Sequence, residues 1–187
     1  MNNRFQVSDT PLNGLSVVER LPIGDQRGYL ERMYCSENLR EAGLQVPIAQ
    51  INHTFTKIAG MVRGMHFQVP PNSDTKLVSC MRGEVFDVAV DLRAGSRTFL
   101  RWHAETLSDQ NHRSLLIPAG FAHGFQTLTN DCEMLYFHTA FYVPAAEGAV
   151  SPADPCIGIS WPLPLGAMSE RDARHAFLPA DYRGIQL

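Results

Sequence analysis

Two histidines sit in settings that could support chemistry. His66 lies in GMVRGMHFQVPPNSDTKLV (residues 60–78), where Gly60, Arg63 and Gly64 precede it and a Pro-Pro step followed by Lys76 comes after it. His123 lies in IPAGFAHGF (residues 117–125), three residues after the glycine of a Pro-x-Gly turn. Imidazole has a reference pKa of about 6.5, so the neutral ring can take a proton near pH 7. General acid–base work and metal ligation are the two chemistries open to such residues. For a metal, the residue two places after His66 is Gln68. Two imidazoles and an amide fall short of the three or four nitrogen, sulfur or carboxylate ligands that transition metals usually take. No metal or cofactor is therefore expected. A third reading leaves both rings as hydrogen-bonded interior histidines.

Bulk properties narrow the setting. A chain of 187 residues, 44% hydrophobic, fits one domain over residues 1–187 with a substantial core. The formal charge of −3 argues against nucleic acid or an anionic membrane as a partner held by bulk electrostatics, so an anionic ligand must meet local positive charge. MNNRFQVSDT has no apolar signal core, and no run of about 18 apolar residues could span a membrane. A cytoplasmic protein is expected. Cys35, Cys80, Cys132 and Cys156 lie far apart with no CxxC spacing, which favours buried thiols over a zinc knuckle or redox pair.

The elements that must hold these side chains read as strands. Apolar residues recur at period two in short runs broken by Gly, Pro, Asn and Asp. The runs fall at 15–20, 28–34, 49–55, 76–82, 84–92, 100–107, 114–117, 124–129 and 133–142. Arg82-Gly83 reads as a tight turn joining two of them into a hairpin, with Val85, Asp87, Ala89 and Asp91 on one face of the second strand. Helical signals appear at 36–43, where Ser36 could cap and Gly43 could stop the helix, and more weakly at 169–176. Many short strands without repeats or linkers predict an all-β jelly roll with short peripheral helices.

IPAGFAHGF resembles the second motif of the cupin jelly rolls. A longer ordered set, RGMHFQ, KLVSCMRGEVFDVAVDLR, IPAGFAHGF, LYFHTAFY, GISWP and SERD, is similar to that of the dTDP-4-dehydrorhamnose 3,5-epimerase family, from Asp25 through Asp172. The resemblance implies a metal-independent, cupin-type homodimer that epimerises a nucleotide-linked 4-keto-6-deoxy sugar. It implies His66 as base, Asp172 as its carboxylate partner, Lys76 as cation near the C4 oxygen and Tyr136 as acid on the opposite face. Arg27, Gln50, Asn52, Arg63 and His123 would join Lys76 in meeting the pyrophosphate and sugar, with Tyr142 also at the substrate. Glycines 60 and 64 would let the backbone pack closely there.

Spacing alone leaves plainer readings open. Lys76 reads more readily as a solvated strand-end lysine, Tyr136 could be a core aromatic, and Asp172 a surface carboxylate, while Tyr142 rivals Tyr136 for the acid role. The chain also departs from the family pattern. DxRGxFxE appears as DQRGYLER, with Leu30 and Arg32 in place of Phe and Glu in a region that contacts the nucleotide from the partner subunit in the family. LYKxTxxY appears as LYFHTAFY, with Phe137 in place of Lys. The nucleotide base and the carbons inverted stay open. A metal-dependent cupin oxygenase or isomerase and a non-catalytic sugar-nucleotide-binding module are the alternative functions.

Overall fold

The computed structural model describes residues 4–187 of the chain. In chain order the strands are β1 (Phe5–Asp9), β2 (Ser16–Arg20), β3 (Ile23–Asp25), β4 (Gly28–Leu30), β5 (Gln50–Thr56), β6 (Val62–Gln68) and β7 (Lys76–Arg82). They continue as β8 (Glu84–Asp91), β9 (Trp102–Ser108), β10 (Arg113–Ile117), β11 (Phe121–Thr127), β12 (Cys132–His138) and β13 (Glu147–Ala149). Two helices of barely a turn, α1 (Ser36–Arg40) and α2 (Glu170–Ala173), lie outside the sheets. The architecture is the expected cupin-like jelly roll. One sheet has the order β1-β2-β10-β7-β12-β5 and the other β13-β6-β11-β8-β9, while among the described residues β3 and β4 pair only with each other.

Side chains at alternate strand positions share a face, and the central strands here are covered on both. The faces that meet between the sheets bury Val78, Cys80, Val85, Ala89, Leu107, Leu115, Phe125 and Met134. Behind the six-stranded sheet, Leu39 and Leu44 close over Val18, Leu77, Leu116 and Phe137. Behind the five-stranded sheet, Val150, Ile157 and Ile185 close over Met65, Val88, Val90 and Ala122. Burial on both faces explains why Lys76–Cys80 shows no buried–exposed alternation.

The hairpin expected across Arg82-Gly83 does not form. β7 pairs with β10 and β12, whereas β8 pairs with β11 and β9. Gly83 instead turns the chain from one sheet into the other. Its φ is +77°, and a Cβ there would stand 2.6 Å from Thr129 Oγ1 and 2.9 Å from Cys132 Sγ. A local turn signal is the same for a hairpin and for a corner; the coverage of both strands on both faces selects the corner.

Other expectations change in detail. β1, β3, β6 and β13 lie outside the runs read as strands, although Met65, Phe67 and Val69 alternate with His66 and Gln68 in and just after β6 and Phe5 and Val7 alternate with Gln6 and Ser8 in β1. β4 stops at Leu30 and β12 at His138. Ser36 does not cap α1: Cys35 holds the cap position without a side-chain bond. Gly43 does end that helix, its N–H reaching Arg40 O at 3.1 Å. Ser169 caps α2, its hydroxyl accepting from the Asp172 N–H at 3.0 Å. Cys80 and Cys132 are buried as expected, but Cys35 is half-buried and Cys156 exposed, because both lie in connections outside the sheets. No helix among the described residues is long and apolar enough to cross a membrane.

Candidate active site

On the six-stranded sheet, the inward faces change character along their length. β7 turns Val78 and Cys80 into the core but starts with Lys76, and β12 turns Met134 inward before Tyr136 and His138. Register sets Lys76 opposite His138 and Val78 opposite Tyr136. Next to them on β5 come Gln50, Asn52 and Thr54. The opposing wall comes from β6 and β11, where His66 pairs with His123. The apolar ends make the core, and the polar ends line a cleft of about 770 Å³, a volume suited to a small-molecule ligand.

Close approach of β6 and β11 places His66. Gly64 has a φ of +133°, and a Cβ on it would stand 2.6 Å from Gly124 Cα and 3.0 Å from His123 O. Gly60 is different: its positive φ serves a turn, and a Cβ there would meet open space. Gly64→Ala is expected to destabilise the fold by about 1–3 kcal/mol through overpacking. It should also lower turnover in the fraction that stays folded, because β6 must move outward with His66. Thermal denaturation together with activity per folded molecule checks both.

The His66 ring is held by a carboxylate. Its Nε2–H donates to Asp172 Oδ1 at 2.9 Å, which leaves the lone pair of the neutral ring on Nδ1. Asp172 is 4% exposed, not the surface carboxylate of the plainer reading. The Ser169 cap fixes its backbone, and its Oδ2 accepts from the Gly64 N–H at 3.4 Å. Burial pulls the His66 pKa below its ordinary value; Asp172 opposes the shift, while Arg171 and His175 add to it. The ring is thus neutral at pH 7 and fit to take a proton.

His66, Asp172 and His175 bring three ligand-type atoms within 4.8 Å of one another. Arg171 already faces that group, with Nη2 3.3 Å from His66 Nε2 and Nε 3.7 Å from Asp172 Oδ1. A guanidinium supplies the positive charge that these donors attract, so the arrangement fits a proton-transfer dyad better than a cation site. Gln68 is committed elsewhere: its amide donates to Asn72 O and Phe141 O and accepts from the Val143 N–H at 2.7 Å.

Two further carboxylate–histidine pairs face the cleft. His123 Nε2 lies 2.9 Å from Asp87 Oδ2, and His138 Nδ1 lies 2.6 Å from Asp74 Oδ2. Lys76 is nearly buried, with Nζ 3.5 Å from the same Asp74 oxygen, so it is not the solvated lysine that spacing alone allows. Tyr136 lies between the imidazoles of His123 and His138, with ring centroids 6.1 and 5.9 Å away. Its hydroxyl is 3.5 Å from Thr54 Oγ1. Burial pushes its phenol well above the usual tyrosine range, so it stays protonated. Tyr142 is 51% exposed at the rim and donates to Glu147 Oε2 at 2.9 Å, which makes Tyr136 the inward phenol.

Of the remaining expected residues, Gln50, Asn52 and Arg63 line the cleft. Arg63 is aimed by Thr56 Oγ1, to which its Nε donates at 3.0 Å. Arg27 is not brought there within this chain: it sits on the β3–β4 ribbon, paired with Asp25 and open to solvent. Phe137 points away from the cleft into the core under α1 and stacks on Tyr34, so the missing lysine leaves the site unaltered. The sequence reading passed over Asp87, Asp74, His138, Arg171 and His175. Asp87 carried a signal, as a carboxylate on the same strand face as Val85 and Ala89, while His138 and Arg171 stand inside the LYFHTAFY and SERD motifs.

Residues 9–179 match the family model for dTDP-4-dehydrorhamnose 3,5-epimerase. The chain is 43% identical to the dTDP-4-dehydrorhamnose 3,5-epimerase of Salmonella typhimurium over 169 residues, covering 89% of this chain and 92% of that protein. It superposes with a TM-score of 0.90 on the Bacillus anthracis dTDP-4-dehydrorhamnose 3,5-epimerase, crystallised with TDP and PPi, at 35% identity over 93% of this chain and 99% of that one. The Legionella pneumophila dTDP-6-deoxy-D-glucose-3,5-epimerase in complex with dTDP-4-keto-L-rhamnose gives 0.88 at 35% identity, covering 92% of each chain. With residues 9–179 of its 187 matched by that family model and 43% identity to a relative of which it covers 92%, this chain, whose carboxylate-held His66 faces Lys76 and Tyr136 across the cleft, belongs to the dTDP-4-dehydrorhamnose 3,5-epimerase family.

Proposed function

We propose that the cleft inverts C3, C5 or both of a dTDP-linked 4-keto-6-deoxy sugar in deoxysugar biosynthesis. The observation that carries this reading is the division of labour between the walls: His66 with Asp172 on one sheet, Tyr136 and Lys76 on the other. A carbon next to a ketone gives up its proton only when a base is held against it and the growing enolate charge is met by a fixed donor or cation. His66 takes the proton, and Asp172 stabilises the imidazolium. Lys76 meets the C4 oxygen, the atom whose charge grows in enolisation toward either neighbour. Tyr136 returns a proton from the opposite face, which inverts the centre. Gln50, Asn52, Arg63, His123 and Tyr142 hold the sugar and the diphosphate, and the arginine fork suits phosphate oxygens.

Incubating the protein with dTDP-4-keto-6-deoxyglucose in D₂O tests the assignment. Deuterium is expected at C3, C5 or both, with inverted product. Tight binding with no label and no inversion would make the protein a binding module instead.

We further propose a cytoplasmic homodimer in which the β3–β4 ribbon delivers Arg27 to the partner's cleft. The ribbon exposes Ile23, Tyr29 and Leu30 and pairs with no third strand among the described residues. β5 forms a sheet edge with Ile51 and Phe55 exposed, a surface that sheet extension would cover. All four cysteines are free thiols, in keeping with a reducing compartment. Sedimentation is expected to give about twice the chain mass of 20.8 kDa. A monomer with full turnover would overturn this.

A further inference from the structure

We propose that His138 is a positioning residue for Lys76, holding the Asp74 carboxylate so that the ammonium stays free for the substrate oxygen. The inference rests on the role given to Lys76 above. Asp74 is buried in the loop before β7, and both its carboxylate oxygens already accept hydrogen bonds. Oδ1 accepts from the Thr139 N–H at 2.9 Å and the Ala140 N–H at 3.3 Å. Oδ2 accepts from His138 Nδ1–H at 2.6 Å.

Lys76 Nζ faces that same Oδ2 from 3.5 Å. A direct charge-assisted bond would measure about 2.7–2.9 Å. His138 holds the short approach to Oδ2, and the ammonium stands back from that oxygen. The carboxylate still attracts Lys76 and holds it at the cleft wall, yet the ammonium hydrogens are not spent on it. Strand register supports this arrangement, because His138 on β12 is the cross-strand partner of Lys76 on β7. The ring is fixed by stacking on Tyr136 at an interplanar angle of 13°, and its Nε2 lies 3.5 Å from Asn52 Nδ2, which suits a proton on Nδ1. Without the imidazole, Oδ2 is open, Lys76 closes on it, and part of its charge is lost to the enolate.

The test uses His138→Phe, which keeps the stack on Tyr136 but cannot donate, and His138→Asn, whose amide N–H can replace Nδ1–H. His138→Phe is expected to lower kcat about tenfold, with deuterium exchange and inversion falling together and KM little changed. His138→Asn should recover most of that loss. In a Lys76→Ala background, adding His138→Phe should cost nothing more, because the effect runs through the lysine. An equal tenfold loss in that background, an impaired Asn variant, or an effect on KM alone would overturn the proposal. Full kcat in His138→Phe would overturn it too while leaving the epimerase reading intact. Failure of the unmodified protein to exchange deuterium would remove that reading and this inference with it.

Discussion

His66→Ala is expected to lower kcat by about 10²–10⁴-fold, the contribution of a positioned general base, and to erase the acidic limb of the pH profile. In the unmodified protein kcat/KM should climb as His66 loses its proton and level off once the ring is neutral. Burial lowers the His66 pKa, so the climb should be centred below the reference value of about 6.5. Asp172 acts in the other direction, favouring the charged ring. Asp172→Asn should therefore move the climb to still lower pH while reducing kcat, since the imidazolium formed during the reaction loses its counter-charge. At the alkaline end, Tyr136 keeps its proton beyond the ordinary tyrosine value of about 10, and the plateau should extend at least that far on its account. The pH dependence of kcat/KM for the three proteins checks these points together. A profile unchanged in His66→Ala would remove His66 from the chemistry.

Lys76→Ala should lower deuterium exchange and inversion alike by about 10²–10³-fold, because without a charge at the C4 oxygen the enolate itself is uphill. Tyr136→Phe should separate the two readouts. The base and the cation are both untouched, so the enolate still forms and deuterium enters from the His66 face with retention, while inverted product becomes scarce. The contrast depends on the sheets: Tyr136 lies on β12 across the cleft from His66 on β6. Tyr142, exposed and tied to Glu147 at the rim, should tolerate Phe with an effect mainly on KM. Following label and configuration at C3 and C5 by NMR checks all three variants. If Tyr142→Phe shows exchange without inversion and Tyr136→Phe loses both, the acid is Tyr142.

Much of this protein is legible from local pattern. Period-two apolar runs with turn residues between them define an all-β chain because strand geometry puts alternate side chains on opposite faces, a property the sequence displays directly. The ordered motifs from Asp25 to Asp172 carried the family resemblance, and with it His66, Lys76, Tyr136 and Asp172. What neighbours what was decided by the tertiary structure. Arg82-Gly83 reads as a hairpin turn, yet it is a corner, because coverage on both faces of β7 and β8 is a property of the packed sheets. Asp74 and His138 are 64 residues apart and Asp172 and His66 are 106 apart, so neither pair leaves a mark in any local window. Strand register alone brings His138 beside Lys76. Whether a carboxylate is solvated or buried, and whether a phenol faces the cleft or its rim, depends on which sheet lies opposite. Residue type and spacing therefore determined the candidate chemistry, while packing determined which groups meet, at what distance and with what charge.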